Sequence, residues 1–330
     1  MKKNKLSLAD ENKNFIGLEL KPRVAIFLAA YNGMQWLPDQ LDSILNQINI
    51  SVTVVVSVDR STDGTESWID QRALLDERII VLSHGETFGG AAGNFFRIIR
   101  DFDFQGYDYV AFSDQDDIWL NNKIFSAHAM IVNTGVDGYS GNVFAFWRDG
   151  RVKLIDKSQT QVRWDFLFES PGPGCTFVMK IKLMNAIKNL ILKHDKDVSE
   201  VGNGQHDWLI YAFARANGYR WVIDKYAGMY YRQHEKNQVG VNVGINAFLH
   251  RVKKVLSGWG LRQSAIIANL IGLHDNPFVM RWSKGDGVGI FWLAFQARQC
   301  RRRMRDQFLF ASACLILSIF RVLIDWRKSR

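Results

Sequence analysis

Residues 109–119 read Tyr109-Val110-Ala111-Phe112-Ser113-Asp114-Gln115-Asp116-Asp117-Ile118-Trp119, an apolar run that ends in three carboxylates. The run has the character of a buried strand, and its acids would stand at the C-terminal edge of a sheet, where open α/β sheets bind ligands. Capping of a helix that begins near Trp119 uses one carboxylate and leaves the others without a role. A divalent cation bridging a phosphorylated ligand accounts for such a set, because Mg²⁺ and Mn²⁺ take oxygen donors. Asp114 and Asp116 would share one face of an extended chain. Asp116 and Asp117, being adjacent, need a turn to reach a single ion.

Upstream, strand and helix patterns alternate. Residues 24–30 form an apolar run closed by Tyr31-Asn32-Gly33, and Trp36, Leu37, Leu41, Ile44 and Leu45 then recur at helical spacing. Residues 52–58 are rich in β-branched side chains and stop at Asp59-Arg60-Ser61-Thr62-Asp63-Gly64-Thr65, where Ser61, Thr62 or Asp63 can cap a helix carrying Trp68, Ile69 and Leu74. Residues 78–82 read as a third strand, followed by Ser83-His84-Gly85-Glu86 and a helix with Phe95, Phe96, Ile98 and Ile99. This is the βαβ rhythm of a mostly parallel sheet. Neither Gly-x-Gly-x-x-Gly nor a Gly-Lys-Ser/Thr loop follows the first strand, which argues against dinucleotide oxidoreductases and P-loop NTPases.

Farther along, residues 141–156 predict a hairpin around Asp149-Gly150, and Pro171-Gly172-Pro173-Gly174-Cys175-Thr176 a rigid turn entering a strand at 177–180. Helices are predicted near 183–193 and 205–216, the second with His206 and Asp207 in its first turn after Gly202-Asn203-Gly204. Two short strands, 221–223 and 228–231, lead to Arg232-Gln233-His234. Beyond Asn246 the texture is helical, with breaks expected at Gly258, Gly260, Pro277 and 285–289.

The chain of 330 residues is 47% hydrophobic and 23% charged, an ordinary globular composition, with a formal net charge of +9. Basic residues cluster at 1–5, 298–305 and the C-terminus, a pattern that suits an anionic lipid surface. Nucleic acid is disfavoured, because no helix-turn-helix, zinc-finger or RNA-binding strand signature accompanies the charge. Cys175, Cys300 and Cys314 are scattered and odd in number, which fits a reducing compartment. Residues 1–14 contain no apolar stretch of the kind a signal peptide needs. The apolar run 308–324 is short and interrupted for a spanning helix, so an interfacial amphipathic helix or a buried or oligomer-forming helix is expected.

Parallel strands joined by helices place their C-terminal ends on one side. Tyr31 and Asn32, Asp59, the 84–86 loop and Asp114 to Asp117 are therefore expected to converge on a phosphorylated ligand and a metal. Asp59 suits a base or sugar contact. Asp63 is equally a turn or capping residue, and Arg60 a phosphate contact or a solvated side chain. Asp116 is the expected metal ligand, with Asp114 toward the sugar. Asp207 can act as a general base if its pKa approaches working pH, and His234 can ligate Mn²⁺ or Mg²⁺, pair with a diphosphate, or be structural.

These residues resemble the family 2 glycosyltransferases of the inverting GT-A type. Ala30-Tyr31-Asn32-Gly33 is similar to the family's opening motif and 58–65 to its nucleotide loop. The segments His84-Gly85-Glu86 and Gly89-Gly90-Ala91-Ala92-Gly93-Asn94-Phe95 resemble the ribose and diphosphate region. Ser113-Asp114-Gln115-Asp116-Asp117-Ile118-Trp119 resembles the Asp-x-Asp metal motif in a variant seen among rhamnosyltransferases of bacterial surface polysaccharide assembly. The resemblance implies a Rossmann-like, mostly parallel α/β sheet flanked by helices, with a C-terminal helical extension. Donor contacts would come from Ala30, Tyr31, Asn32, Asp59, Arg60, Asp63, Gly85, Asn94, Asp114, Gln115 and Trp119, metal ligation from Asp116 and His234, and the base from Asp207. His206 departs from the family by standing first in what is usually an acidic pair.

By the same resemblance the cofactor is Mg²⁺ or Mn²⁺, the donor dTDP-L-rhamnose, and the acceptor an undecaprenyl-diphosphate-linked glycan or nascent polysaccharide. The chain would be cytoplasmic and peripheral on the membrane face, and could self-associate through its C-terminal helices. It divides by expectation into a flexible segment 1–21, a catalytic domain 22–245 (a nucleotide-sugar half 22–120 and an acceptor half 121–245) and a basic helical region 246–330. The rivals are a sugar-phosphate nucleotidyltransferase, whose basic glycine-rich phosphate loop is missing here, and a non-catalytic nucleotide-sugar or polysaccharide binding subunit.

Overall fold

Seven elements in strict alternation open the chain: β1 (Arg23–Ala30), α1 (Leu37–Leu45), β2 (Ser51–Val58), α2 (Thr65–Leu75), β3 (Ile79–Val81), α3 (Ala91–Asp101) and β4 (Tyr109–Ser113). They belong to a computed structural model that describes residues 21–198, 201, 205–234 and 257–328. The N-terminal lysines, the 202–204 glycine loop, the boundary near Asn246 and Arg330 lie outside the described residues. β1 is buried at every position after Arg23, and so its sequence runs apolar instead of alternating. β2 and β4 flank it in parallel, and β3 extends the sheet parallel to β2.

The second half follows as β5 (Ile118–Trp119), α4 (Lys123–Thr134), β6 (Gly138–Trp147), β7 (Val152–Ile155), β8 (Val178–Lys180), α5 (Ile181–Lys193), α6 (Asp195–Val198), α7 (His206–Ala216) and β9 (Trp221–Gln233). The spatial order among the described residues is β3-β2-β1-β4-β8-β6-β9-β5, with β7 paired to β6. β8 runs antiparallel to β4 and β6, β7 antiparallel to β6 and β5 antiparallel to β9, so the parallel half continues into a mixed one. Among the described residues five helices follow: α8 (Trp259–Leu270), α9 (Pro277–Ser283), α10 (Gly287–Ala294), α11 (Ala297–Cys300) and α12 (Met304–Lys328). None of the described helices is long and apolar enough to cross a membrane.

Each face of the sheet carries its own core. Val24, Ile26 and Leu28 of β1 meet Leu37, Leu41 and Ile44 of α1 and Ile124, Ala127 and Ile131 of α4. Ala25, Phe27 and Ala29 point the other way, toward Phe95, Ile98 and Ile99 of α3 and the residues of α5 and α7. Each fully buried Leu, Ile or Phe contributes about 1.5–3 kcal/mol. The C-terminal helices join this second core through Trp282, Ile290, Leu293, Cys314 and Leu317.

Several sequence expectations change in three dimensions. The segments 221–223 and 228–231 are one strand, β9, whose register against β6 shifts between Gly141 and Phe144 and so absorbs the break in pattern. No helix starts near Trp119: that residue lies in β5 and α4 begins at Lys123, so helix capping does not account for the acids at 114–117. Gly260 and Gly289 sit inside α8 and α10, Gly289 where α10 packs so closely on Arg281 that a Cβ would lie 2.1 Å from its carbonyl oxygen. Leu74 is exposed, not part of the core. Within the basic run at 298–305 the Arg302 side chain is fully buried, while Arg298 and Arg305 are exposed.

Candidate active site

The C-terminal ends of β1, β2 and β4 open onto a cavity of about 950 Å³, closed on its far side by the 168–174 segment and by Arg301. The wall formed by the loops after β1 and β2 is knitted by local hydrogen bonds. The side-chain amide of Gln115 clips the backbone of Tyr31 from both directions, accepting from the N–H at 2.8 Å and donating to the carbonyl at 2.9 Å. Gly33 permits this, since a Cβ there would come 2.5 Å from Gln115 Oε1. Asn32 ties the first loop to the second by accepting from Thr62 N–H (2.8 Å) while its own N–H donates to Ser61 Oγ (3.0 Å).

Asp59 is 4% exposed, and its Oδ1 accepts from the N–H of Phe88 at 2.9 Å. Burial pushes its carboxyl above the usual range. Asn94, in the first turn of α3, donates to Ser57 O at 3.1 Å, and its own buried carbonyl oxygen has no partner among the described residues. Ala30, Tyr31, Asn32, Asp59, Asn94, Asp114, Gln115, Asp116, Asp207 and His234 all line the cavity, although the sequence brings them from six separate segments. Arg60, Asp63, Gly85 and Trp119 do not. Arg60 donates to the Gly85 carbonyl (3.0 Å), and Asp63 accepts from the N–H groups of Met34 (3.0 Å) and Thr65 (3.1 Å), closing the loop and the start of α2. Trp119 is buried under the Lys123 ammonium, 3.2 Å from its ring centroid.

The acids after β4 take two environments. Asp116 faces the cavity, and its Oδ2 lies 2.7 Å from His234 Nε2. The His234 ring stacks on Trp36 at 4.0 Å, and Arg232 next to it donates from Nε to the Asp116 carbonyl at 2.8 Å. Asp117 turns inward: it is fully buried, one oxygen accepts from Arg232 N–H at 3.0 Å and the other has no hydrogen-bond partner among the described residues. One oxygen each of Asp114 and Asp117 and the Cys175 sulfur lie within 4.8 Å of one another. Burial, with Asp116 adjacent, pushes Asp114 up to about 7 and holds Asp117 well above the carboxylate range. The Cys175 thiol is likewise held well up by burial and by the acids.

Two donor sets could therefore hold a cation. A soft sulfur donor is a poor match for Mg²⁺ or Mn²⁺, and Asp117 and Cys175 lie behind the cavity surface. Asp116 and His234 present oxygen and nitrogen to the cavity with Asp114 beside them, and accumulated like charge at 114–117 is what a bound cation would relieve. This second set fits a divalent ion; no sequence feature had singled out Cys175 as a neighbour of the acids.

Asp207, in the first turn of α7, accepts from Trp208 N–H at 2.7 Å and from Ser170 Oγ at 3.1 Å. Burial raises its carboxyl to about 6. His206 packs against Phe95 at 4.5 Å with the rings tilted, and burial lowers it to about 3, so it is neutral; neither ring nitrogen has a partner among the described residues. Gly174 makes room for it, as a Cβ there would lie 2.6 Å from His206 Nε2. Arg302 supports this side by donating to Asp165 at 3.0 Å and to the Ser170 carbonyl at 2.7 Å, which fixes the residue bonded to Asp207. Lys157, Glu169, Ser170 and Arg301 line the same wall without any local sequence signal.

Residues 25–182 match the family described as Glycosyl transferase family 2. The chain is 38% identical over 294 residues to the dTDP-rhamnosyl transferase RfbG of Shigella flexneri, a match that spans 89% of this chain and all of that protein. It is 23% identical over 244 residues to the UDP-Glc:alpha-D-GlcNAc-diphosphoundecaprenol beta-1,3-glucosyltransferase WfaP of Escherichia coli, covering 72% of this chain and 87% of the other. Two solved structures share the fold at low identity. They are S. aureus TarS 1-349 in complex with UDP (TM-score 0.51, 17% identity, 93% and 92% of the two chains) and the mannosyltransferase PcManGT from Pyrobaculum calidifontis in complex with GDP-Man and Mn2+ (TM-score 0.50, 14% identity, 92% and 88%).

Proposed function

The chain belongs to glycosyl transferase family 2, and from that premise we propose that it is a metal-assisted, inverting transferase that moves L-rhamnose from dTDP-L-rhamnose to a lipid-diphosphate-linked glycan or a growing surface polysaccharide. The observation that carries the reading is the convergence of Asp59, Asp114, Asp116, Asp207 and His234 on one cavity. A nucleotide half and a buried, basic carboxylate on opposite sides of one space are what a displacement at an anomeric carbon needs. The donor sugar follows the likeness to RfbG, and the acceptor class follows the substrate for which WfaP is named.

In this reading Asp207 removes the proton of the acceptor hydroxyl. The acceptor oxygen bonds to the anomeric carbon, the bond from that carbon to the diphosphate breaks with its electron pair going to dTDP, and the configuration inverts. Ser170 and the Trp208 N–H hold the Asp207 carboxylate in one orientation, leaving its remaining lone pairs for the incoming hydroxyl. A carboxyl near 6 is ionised at neutral pH yet basic enough to accept the proton. Asp116 and His234, with Asp114 beside them, would hold Mg²⁺ or Mn²⁺, which supplies charge neutralisation at the leaving diphosphate. Asp59 and the Gln115-clipped 30–32 loop orient the nucleoside.

The protein would work on the cytoplasmic face of the membrane. α10 and α12 pack together and expose Phe291, Phe295, Phe308, Leu309, Ile316 and Ile319 beside the exposed Arg298 and Arg305. Such a surface suits an anionic bilayer. The test is to offer dTDP-L-rhamnose and a panel of other sugar nucleotides with Mg²⁺ or Mn²⁺ and membrane lipid extract, measuring sugar transferred and nucleotide released. Rhamnose transfer with dTDP release supports the reading. Release of pyrophosphate indicates a nucleotidyltransferase, binding without turnover a non-catalytic subunit, and preference for another donor overturns the rhamnose assignment.

A further inference from the structure

The wall of the cavity opposite the nucleotide side holds a half-buried cation that has anions near it but none in direct contact among the described residues. Lys157 follows β7; its backbone N–H is fixed by Asn142 Oδ1 at 2.6 Å and its stem passes the Gly172 backbone, where an added Cβ would touch it at 3.8 Å. Its ammonium makes no ion pair or hydrogen bond among the described residues. Asp207 and Glu169 act on it only across a gap, and the other anions nearby face arginines. Asp165 is shared by Arg215 and Arg302 at 3.0 Å each, Asp156 faces Arg303 at 3.7 Å, and Glu169 lies 3.5 Å from Arg302 and 3.8 Å from Arg301. Arg301 reaches the cavity too, and its other ion contact, to Asp306, is a loose 4.0 Å.

Charge withdrawn from water without a partner is costly, and a site that keeps one is prepared for an anion that arrives with the ligand. We propose that Lys157 and Arg301 form a subsite for the diphosphate of a lipid-linked acceptor, with its hydrocarbon led outward along Phe168 toward α12. Burial pulls the Lys157 pKa below its ordinary value; Glu169 opposes the shift and the guanidinium groups at 301–303 add to it. The aromatic path is continuous: Phe168 lines the cavity and packs on Phe310 at 5.0 Å, and Phe308 and Leu309 lie exposed on the same helix. The nucleotide diphosphate belongs to the other wall, beside Asp114 and Asp116. The proposal rests on the lipid-linked acceptor reading above and adds the residues that would recognise it.

The experiment is binding, so that it does not depend on turnover. The full chain, saturated with dTDP and Mn²⁺ to fill the donor wall, is titrated with farnesyl diphosphate, inorganic pyrophosphate and farnesol, read by tryptophan fluorescence. Farnesyl diphosphate is expected to bind at least tenfold more tightly than either of the others. Lys157→Gln is expected to lose about tenfold of that affinity, Lys157→Arg to keep it within threefold, and Lys153→Gln, on the exposed part of β7, to change nothing. Pyrophosphate binding as tightly as farnesyl diphosphate would overturn the lipid assignment, and equal binding of farnesol would overturn the anion subsite. A Lys157→Gln variant with unchanged affinity, acting only by shifting the Asp207 pH profile, would do the same. Failure of glycosyl transfer to any lipid-linked acceptor, with these affinities intact, would count against the proposed reaction and not against the subsite.

Discussion

Asp207→Asn should remove transfer while making the protein more stable above pH 7. The folded carboxyl titrates near 6 against 3.8 for an unperturbed aspartate, so the folded state binds that proton more tightly than the unfolded chain does. Above pH 6 the ionised group therefore costs stability, and the cost fades as pH falls from 6 toward 3.8. A difference of about two pH units corresponds to about 3 kcal/mol; partial contact with cavity water brings the realised figure to about 1–2 kcal/mol. Asparagine can keep both native contacts, accepting from Trp208 N–H and donating to Ser170 Oγ, so little else is lost. The assay is urea denaturation of parent and variant at pH 8 and pH 5, paired with rhamnose transfer. Expected are a variant more stable by about 1–2 kcal/mol at pH 8, a gap that narrows at pH 5, and transfer reduced about 10²–10⁴-fold. The parent's kcat/KM should fall about tenfold per pH unit below 6 as the base becomes protonated. Equal stability at both pH values, or near-normal turnover in the variant, would refute the assignment of Asp207 as a desolvated base.

Asp116→Asn and His234→Ala should each weaken Mn²⁺ binding in the presence of dTDP by about tenfold or more, measured by electron paramagnetic resonance, and chelation should abolish transfer; metal affinity that survives both substitutions would move the site to the Asp114, Asp117 and Cys175 set. Arg302→Gln removes a fully buried guanidinium from Asp165 and from the Ser170 carbonyl and should cost about 3–5 kcal/mol in chemical denaturation, whereas Arg303→Gln, partly exposed, should stay within about 0.5 kcal/mol. Phe308→Glu with Leu309→Glu should lower co-sedimentation with anionic liposomes about tenfold; unchanged partitioning, or loss of a dimer in gel filtration, would show that this face meets something other than lipid.

What the sequence alone made legible was local or periodic. The apolar run of β1, the β-branched run of β2 and the helical spacing between them predict the parallel half almost residue by residue, and parallel winding by itself brings Asn32, Asp59 and Asp114 to one edge. Asp207 in the first turn of α7 was legible for the same reason. Tertiary structure decided the rest. His234 reaches Asp116 only because β9 is one long strand that pairs with both β6 and β5, and no short-range pattern encodes that return. Arg301 and Arg302 looked like surface charge within a basic run, since composition does not reveal which arginines turn toward Asp165, Glu169 and the cavity. Lys157 and Ser170 carried no signal at all. Periodicity reports which face of an element is buried, while the pairing of buried charges depends on which elements the topology sets opposite one another, and that is settled only when the whole chain is packed.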